Sequence, residues 1–336
     1  MNKSTYSHAG MITTALRLVV GWTYFSAFWR RLVLTNKLNP EEAGYIGEKF
    51  NHFLPNALGI KPIIEFLVSN PDWLWWAMAA FTIIEGIVGL LFMFGFLTRL
   101  MSIGVFGLAM GILLGSGWLG TTCLDEWQIG VLGVAAGFTI FHSGGGKFSL
   151  DEYLLNKDLA FTRQKWFGFL GSGVLPLREN TISKGVLIGS LLILGLTLFT
   201  NQYFHGGVYG TLHNKSVRPI VEISDARIQN DSLSFKVFRV EGADVYGSFL
   251  IGVNVLDAQG STIHSITQTD LAEMSPNQIS NDYVAKVKPG AHSLIIPLGA
   301  KATLKFGSRE LQGFDNAHTV ELVDISGVRW TAQIGD

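Results

Sequence analysis

Cys123, the only cysteine in the chain, lies in a short polar break, Gly117–Gln128, between two long apolar runs. Asp125 and Glu126 stand beside it, with Trp118 and Trp127 near the ends. A cysteine reacts as its thiolate, which nearby guanidinium groups favour and nearby carboxylates disfavour. Arg30 and Arg31 close the first apolar run, and Arg17 lies deeper in it. The planar guanidinium fork suits small oxyanions, but arginines also end membrane helices by snorkelling. Glu85 sits inside another apolar run, where an unpaired carboxyl costs roughly 2.5 kcal/mol or more. It reads as a proton relay or as a helix-packing hydrogen-bond partner, and Arg17 is one group that can pair with it. Trp22, Tyr24 and Trp29 can flank a planar ring or act as interfacial anchors. Asp125 and Glu126 also suit the first turn of a helix. His52, His142, His205 and His213 show no paired metal spacing, so no metal is expected.

The elements that must position these residues are apolar helices. Of 336 residues, 48% are hydrophobic and only 15% charged, against roughly 25% charged in a soluble domain. Mean hydropathy is +0.32, and the charge deficit falls in the first two thirds of the chain. A net charge of -1 offers no bulk argument for nucleic acid. The apolar runs are Met11–Trp29, Trp73–Leu97, Leu100–Ser116, Trp127–His142 and Gly185–Phe204, read as five crossings of a core about 30 Å thick. The first keeps Arg17 and no small-residue cleavage site follows it, so it reads as an anchor rather than a signal peptide. Trp73, Trp75 and Trp76 form an expected interfacial belt. Gly104, Gly107, Gly111 and Gly115 are expected to let helices approach closely.

Between the first two runs, Asn39-Pro40-Glu41-Glu42 reads as a helix start. Ile46, Phe50, Phe53 and Leu54 follow with amphipathic spacing, expected to lie against the membrane or the bundle. Lys61–Ser69 is a second short apolar segment. Ser143–Lys184 holds the strongest basic excess of the membrane half, which assigns it to the cytoplasm. The N-terminus then lies inside, Arg99 becomes a topology signal, and the Cys123 loop faces out. Ser149–Glu152 reads as a capping box, and Tyr153–Leu170 as an interfacial helix. From Gly206 the pattern changes to short strands: Val221–Ile223, Ser232–Val240, Tyr246–Leu256, Thr262–Thr267, His292–Pro297, Thr303–Phe306 and Thr319–Val323. These suggest a seven- to eight-strand sandwich outside the cell membrane. The expected fold is a membrane α-helical bundle, four helices plus a fifth span, with a C-terminal all-β immunoglobulin-like sandwich. Its expected parts are a membrane domain over 1–146, a cytoplasmic connector over 147–184, a span over 185–204 and the β-domain over 205–336.

Several phrases resemble a known family. Arg17-Leu-Val-Val-Gly-Trp22, then Arg30-Arg31-Leu, the long connection and Glu85-Gly86 resemble DoxD, a subunit of thiosulfate:quinone oxidoreductase within the DoxX-like membrane proteins. Gly206-Gly-Val-Tyr-Gly-Thr-Leu-His-Asn214, Phe238-Arg-Val-Glu-Gly-Ala-Asp-Val-Tyr-Gly-Ser-Phe249 and Lys286-Val-Lys-Pro-Gly-Ala-His-Ser-Leu-Ile-Ile-Pro-Leu-Gly299 resemble its partner subunit DoxA. The order is that of the two fused in one chain.

The resemblance implies oxidation of two thiosulfates to tetrathionate, with electrons passed to membrane quinone, ubiquinone or menaquinone, and no metal. It supplies no residue roles, so these are read from the residues. Cys123 and Glu85 are the catalytic candidates. Arg30, Arg31, Arg17 and Asp125 are the candidates for binding substrate, and Trp22, Tyr24 and Trp29 for binding quinone. The implied partners are thiosulfate, the quinone pool and the bilayer of the inner (cell) membrane, with a homo-oligomer left open. Two other readings stand beside this one: a non-catalytic DoxX-type scaffold, and a sulfur-anion transporter. A transporter favours broken helices in matched halves, which the sequence does not display.

Overall fold

The computed structural model of the protein describes residues 3–120, 125–229, 232–244, 248–307 and 316–335. Cys123 and the side chain of Asp125 lie outside the described residues. The described residues form two compact units, one of 3–45, 76–118 and 125–213, the other of 46–75, 119–120 and 214–335.

The first unit is helical. Helices α1 (Lys3–Ile12) and α2 (Thr14–Phe28) lead into a π-helical turn, Trp29–Leu34. The helix thus runs on through Arg30 and Arg31 rather than stopping at them. Helix α3 (Ile46–Phe53) and helix α4 (Lys61–Ser69), which belong to the second unit, precede helix α5 (Pro71–Phe94), which carries Glu85. Helices α6 (Thr98–Ser116), α7 (Asp125–Ser143), α8 (Leu150–Asn156), α9 (Lys165–Leu170) and α10 (Glu179–His205) complete the helical region. Tyr153–Leu170 is therefore two short helices with a 3-10 turn, Ala160–Arg163, between them, not one helix. Among the described residues three helices, α5, α6 and α10, are long and apolar enough to cross a membrane. None of the apolar window of α10 is buried inside the protein. Such a surface is left for lipid to cover, and marks a membrane protein.

Small residues set the helix contacts, including the expected Gly104, where a Cβ would lie 2.8 Å from the Val88 side chain of α5. A Cβ at Gly107 or Gly111 of α6 would meet nothing. The close approach of α6 to α7 comes instead from Gly130 and Gly137 of α7, where a Cβ would lie 2.8 Å from Leu113 and from the Ser102 carbonyl. Gly21 brings α2 onto α5 in the same way, against Met93.

The turn from α5 to α6 is clamped by charge. Arg17 donates to the carbonyls of Phe92 and Met93, at the C-terminal end of α5, and to Phe148. Those carbonyls have no partner within their own helix, and a cation there suits the helix dipole. At the start of α6, the buried Asp151 accepts from the Leu97 and Thr98 amides at 2.8 and 2.9 Å. Ser149 caps α8, accepting from the Glu152 amide. Arg99 is not a surface topology signal: it is fully buried and donates to the carbonyls of Phe141, Gly168 and Gly173.

The second unit is mostly β. Its strands are β1 (Ile220–Gln229), β2 (Ser232–Glu241), β3 (Ser248–Leu256), β4 (Thr262–Ile266), β5 (Ile279–Asn281), β6 (Lys288–Pro289), β7 (Leu294–Ile296), β8 (Lys301–Phe306), β9 (Thr319–Asp324) and β10 (Arg329–Gln333). A five-residue helix, α11 (Gln268–Ala272), follows β4. The pairs are antiparallel, in two sheets ordered β1-β2-β8-β5 and β10-β9-β3-β7-β6, with β4 on β3. Alternation drives this: in β2 every second residue, including Leu233, Phe235 and Val237, turns inward. They share one apolar core with Leu250, Val253 and Val255 of the other sheet.

Residues 39–45 form turns rather than a helix start, with Gly44 at φ +79, and α3 begins at Ile46. Part of the apolar side of 46–69 packs on the β-region of the same unit. Leu54, Ala57, Ile64 and Val68 cluster with Phe238 and Tyr283. Buried Asn51 secures this, donating to the Gly299 carbonyl at 2.7 Å and accepting from the Ala285 amide.

Candidate functional site

Arg31 and Glu85 meet in the first unit. The π-helical turn carries Arg31 inward, where it donates to the Glu85 carboxylate at 2.7 Å. Glu85 is 5% exposed at its side chain and Arg31 17%. Arg31 also lies 3.4 Å from the hydroxyl of Thr82, one helical turn before Glu85, and over the Phe81 ring at 5.7 Å. A π-turn interrupts the usual helical hydrogen bonding and often marks functional positions. Arg30, the next residue along, is exposed, with its Nε donating to the Ser26 carbonyl at 3.3 Å. Arg31 therefore pairs with the buried carboxylate, while the adjacent Arg30 stays exposed.

Arg17 does not join them. Its guanidinium is taken up by the carbonyls at the far end of α5, so it holds the helix turn and does not pair with Glu85. The three aromatic candidates also separate. Trp22, Phe25 and Trp29 form a partly exposed aromatic row, with centroid distances of 6.0 and 5.9 Å. Tyr24 points elsewhere on the helix and is 4% exposed. Its hydroxyl has no hydrogen-bond partner among the described residues. The spacing 22, 25, 29 against 24 was available from a helical wheel.

Residues leading into the Cys123 loop are held within the second unit. Asn214 donates to the Gly120 carbonyl at 2.9 Å, and the Gly120 amide donates to Ser216 at 3.1 Å. Cys123 itself lies outside the described residues. Among those described, no group of three His, Cys, Asp or Glu side chains is arranged to hold a metal ion.

Sequence reasoning passed over Thr82 and Phe81, although one helical turn and four residues before Glu85 are the positions whose side chains share its neighbourhood. It treated His52 only as a metal candidate. That residue is buried in the second unit with both ring nitrogens unpartnered among the described residues. Burial foremost, then the nearby charges of Lys49 and Arg239, push its pKa down to about 4 against the opposing pull of Asp244.

A family model described as "TQO small subunit DoxD" matches residues 12–178, and one described as "TQO small subunit DoxA" matches residues 204–333. No solved structure matches the chain. With both matches in order along one polypeptide, the chain belongs to the DoxD and DoxA small-subunit families of thiosulfate:quinone oxidoreductase, joined as a fusion.

Proposed function

We propose that the chain joins two thiosulfates into tetrathionate and passes the two electrons to membrane quinone. Two S2O3 dianions give S4O6 dianion and two electrons, and quinone takes these electrons with two protons to become quinol. The observation that carries this reading, beside the family matches, is the Arg31–Glu85 pair with Arg30 next to it. An exposed guanidinium holds an oxyanion, and a buried carboxyl within reach of the bilayer can move protons. Arg30 binds the sulfonate end of thiosulfate. Arg31, anchored by Glu85 and Thr82, sets the local field. Glu85 relays protons to the quinone head group.

Cys123 enters as a covalent carrier. Its thiolate and one thiosulfate are oxidised together by quinone to Cys–S–S–SO3⁻, losing two electrons. A second thiosulfate attacks the sulfane sulfur, forming tetrathionate and expelling the thiolate, as in thiol–disulfide exchange. In the membrane we read five spans: α2 with its π-helical continuation, α5, α6, α7 and α10. The N-terminus and 147–184 are cytoplasmic, and the β-domain, read as an immunoglobulin-like sandwich, is outside the cell membrane.

The test is the purified full chain with thiosulfate and decylubiquinone, measuring tetrathionate and quinol together. Equal amounts of both are expected. Absence of both products overturns the catalytic reading in favour of a scaffold, and quinone-independent movement of labelled thiosulfate into liposomes favours a transporter. A reporter fused at Gly206 that reads cytoplasmic overturns the orientation.

A further inference from the structure

A cleft of about 460 Å³ runs between α2 and α7 on the outside of the helical unit. One wall is Leu16, Val20, Thr23 and Tyr24; the other includes Ile129, Leu132 and Ala136. Each set follows helical spacing, so each wall is one face of a straight helix. Eight residues of α2 make the cleft about 12 Å long at 1.5 Å per residue. Its walls are almost wholly apolar, and Leu16, Ile129 and Leu132 are themselves exposed. Lipid-soluble molecules therefore have access from the bilayer.

Besides Thr23 and Thr139, the lining has one further polar side chain, Tyr24, and its hydroxyl is covered. It lies against Gly133 in the same cleft, where a Cβ would come within 2.8 Å of it. The glycine leaves it room but offers no acceptor. A buried donor without a partner is costly, and native structures leave few such groups. An acyl chain fills such a cleft but leaves the donor unpaired. A flat apolar ring bearing a carbonyl satisfies both features, and about 460 Å³ falls in the usual range for small-molecule sites.

We infer that the α2–α7 cleft is the head-group site for a lipid-soluble quinone, with the Tyr24 hydroxyl donating to a ring carbonyl. This rests on the quinone-linked activity proposed above and gives it a location, distinct from the aromatic row of Trp22 and Trp29. The cleft is open but the hydroxyl itself is covered, so the ring reaches it once neighbouring wall side chains shift.

The experiment uses the full chain in nanodiscs with an azido-decylubiquinone photoprobe, alongside quinone titration by fluorescence quenching. Label is expected on peptides containing 16–24 and 129–139, competed by decylubiquinone. Tyr24→Phe keeps the ring and should weaken quinone binding roughly three- to tenfold, the loss of one hydrogen bond. Ala135→Trp fills the cleft and should abolish labelling, while thiosulfate binding in both variants stays at the wild-type level. Label elsewhere, with quinone still reduced and Tyr24→Phe unchanged, overturns the cleft but leaves the activity standing. Label competed equally well by excess phospholipid and indifferent to Tyr24→Phe makes it an acyl-chain groove and also overturns the site. Failure of the wild-type chain to bind any quinone overturns site and activity together.

Discussion

Arg31 donates to Glu85 at 2.7 Å, joining the π-helical end of α2 to the middle of α5. The pairing separates two arginines that stand side by side in sequence. Arg31 neutralises a buried acid, whereas Arg30 stays exposed.

The two arginines should therefore fail differently. Arg31→Ala strands the Glu85 carboxylate, and breaking a buried pair from one side costs about 3–5 kcal/mol. Its thermal midpoint should fall clearly. Arg30→Ala should leave the midpoint near wild type and weaken the apparent affinity for thiosulfate ten- to a hundredfold, the worth of a charged hydrogen bond. Equal midpoints and equal kinetics in the two variants would contradict the division of roles.

Glu85→Gln keeps the shape and a hydrogen-bonding oxygen for Arg31 but removes the proton-carrying group. Quinol formation should slow by about 10²–10⁴, the usual contribution of a positioned acid or base. The protein should remain folded, as circular dichroism can verify. Wild-type turnover in a folded Glu85→Gln protein rules out the relay.

For Cys123 the readout is mass. A pulse of thiosulfate and quinone should leave a Cys123 adduct heavier by one S2O3 unit, and Cys123→Ser should stop tetrathionate formation. A folded Cys123→Ser protein working at the normal rate eliminates the covalent route while leaving quinone-linked oxidation intact.

His52 makes stability depend on pH. Its pKa is held at about 4 in the folded protein, against about 6.5 when unfolded. Above pH 6.5 both states are neutral and the stability is complete. Between 6.5 and 4 the unfolded chain takes up a proton that the folded one refuses, so stability falls as pH falls. The full loss is about 3 kcal/mol. His52→Phe should remove this slope, with little penalty at pH 7 because neither ring nitrogen is hydrogen-bonded. Thermal midpoints of the two proteins from pH 7 to 4 make the comparison, and parallel curves would refute the assignment.

Local patterns were legible in the residues alone. Lys61–Ser69 is a helix, as its short apolar run indicates. Ser149 caps its helix as its spacing indicates. Alternation placed most of β2, β3 and β9, because period-two burial is written in consecutive residues. The two-residue β6 and three-residue β5 carry no such period; they exist only because a neighbouring strand supplies their partners.

The site divides in the same way. The sequence marked Glu85 and Arg31 as costly residues in apolar surroundings, but it did not say that they belong together. Whether Arg17 or Arg31 reaches Glu85 depends on how far α2 slides along α5, which the Gly21–Met93 contact settles in three dimensions. The same register delivers Arg17 to the terminal carbonyls of α5 instead. Arg99 is a core clamp because α9 at Gly168 and the bend at Gly173 fold back to offer carbonyls. Composition sets which side chains are expensive to bury. Packing between distant segments decides which partners offset that expense, and no window of sequence contains both halves of such a contact.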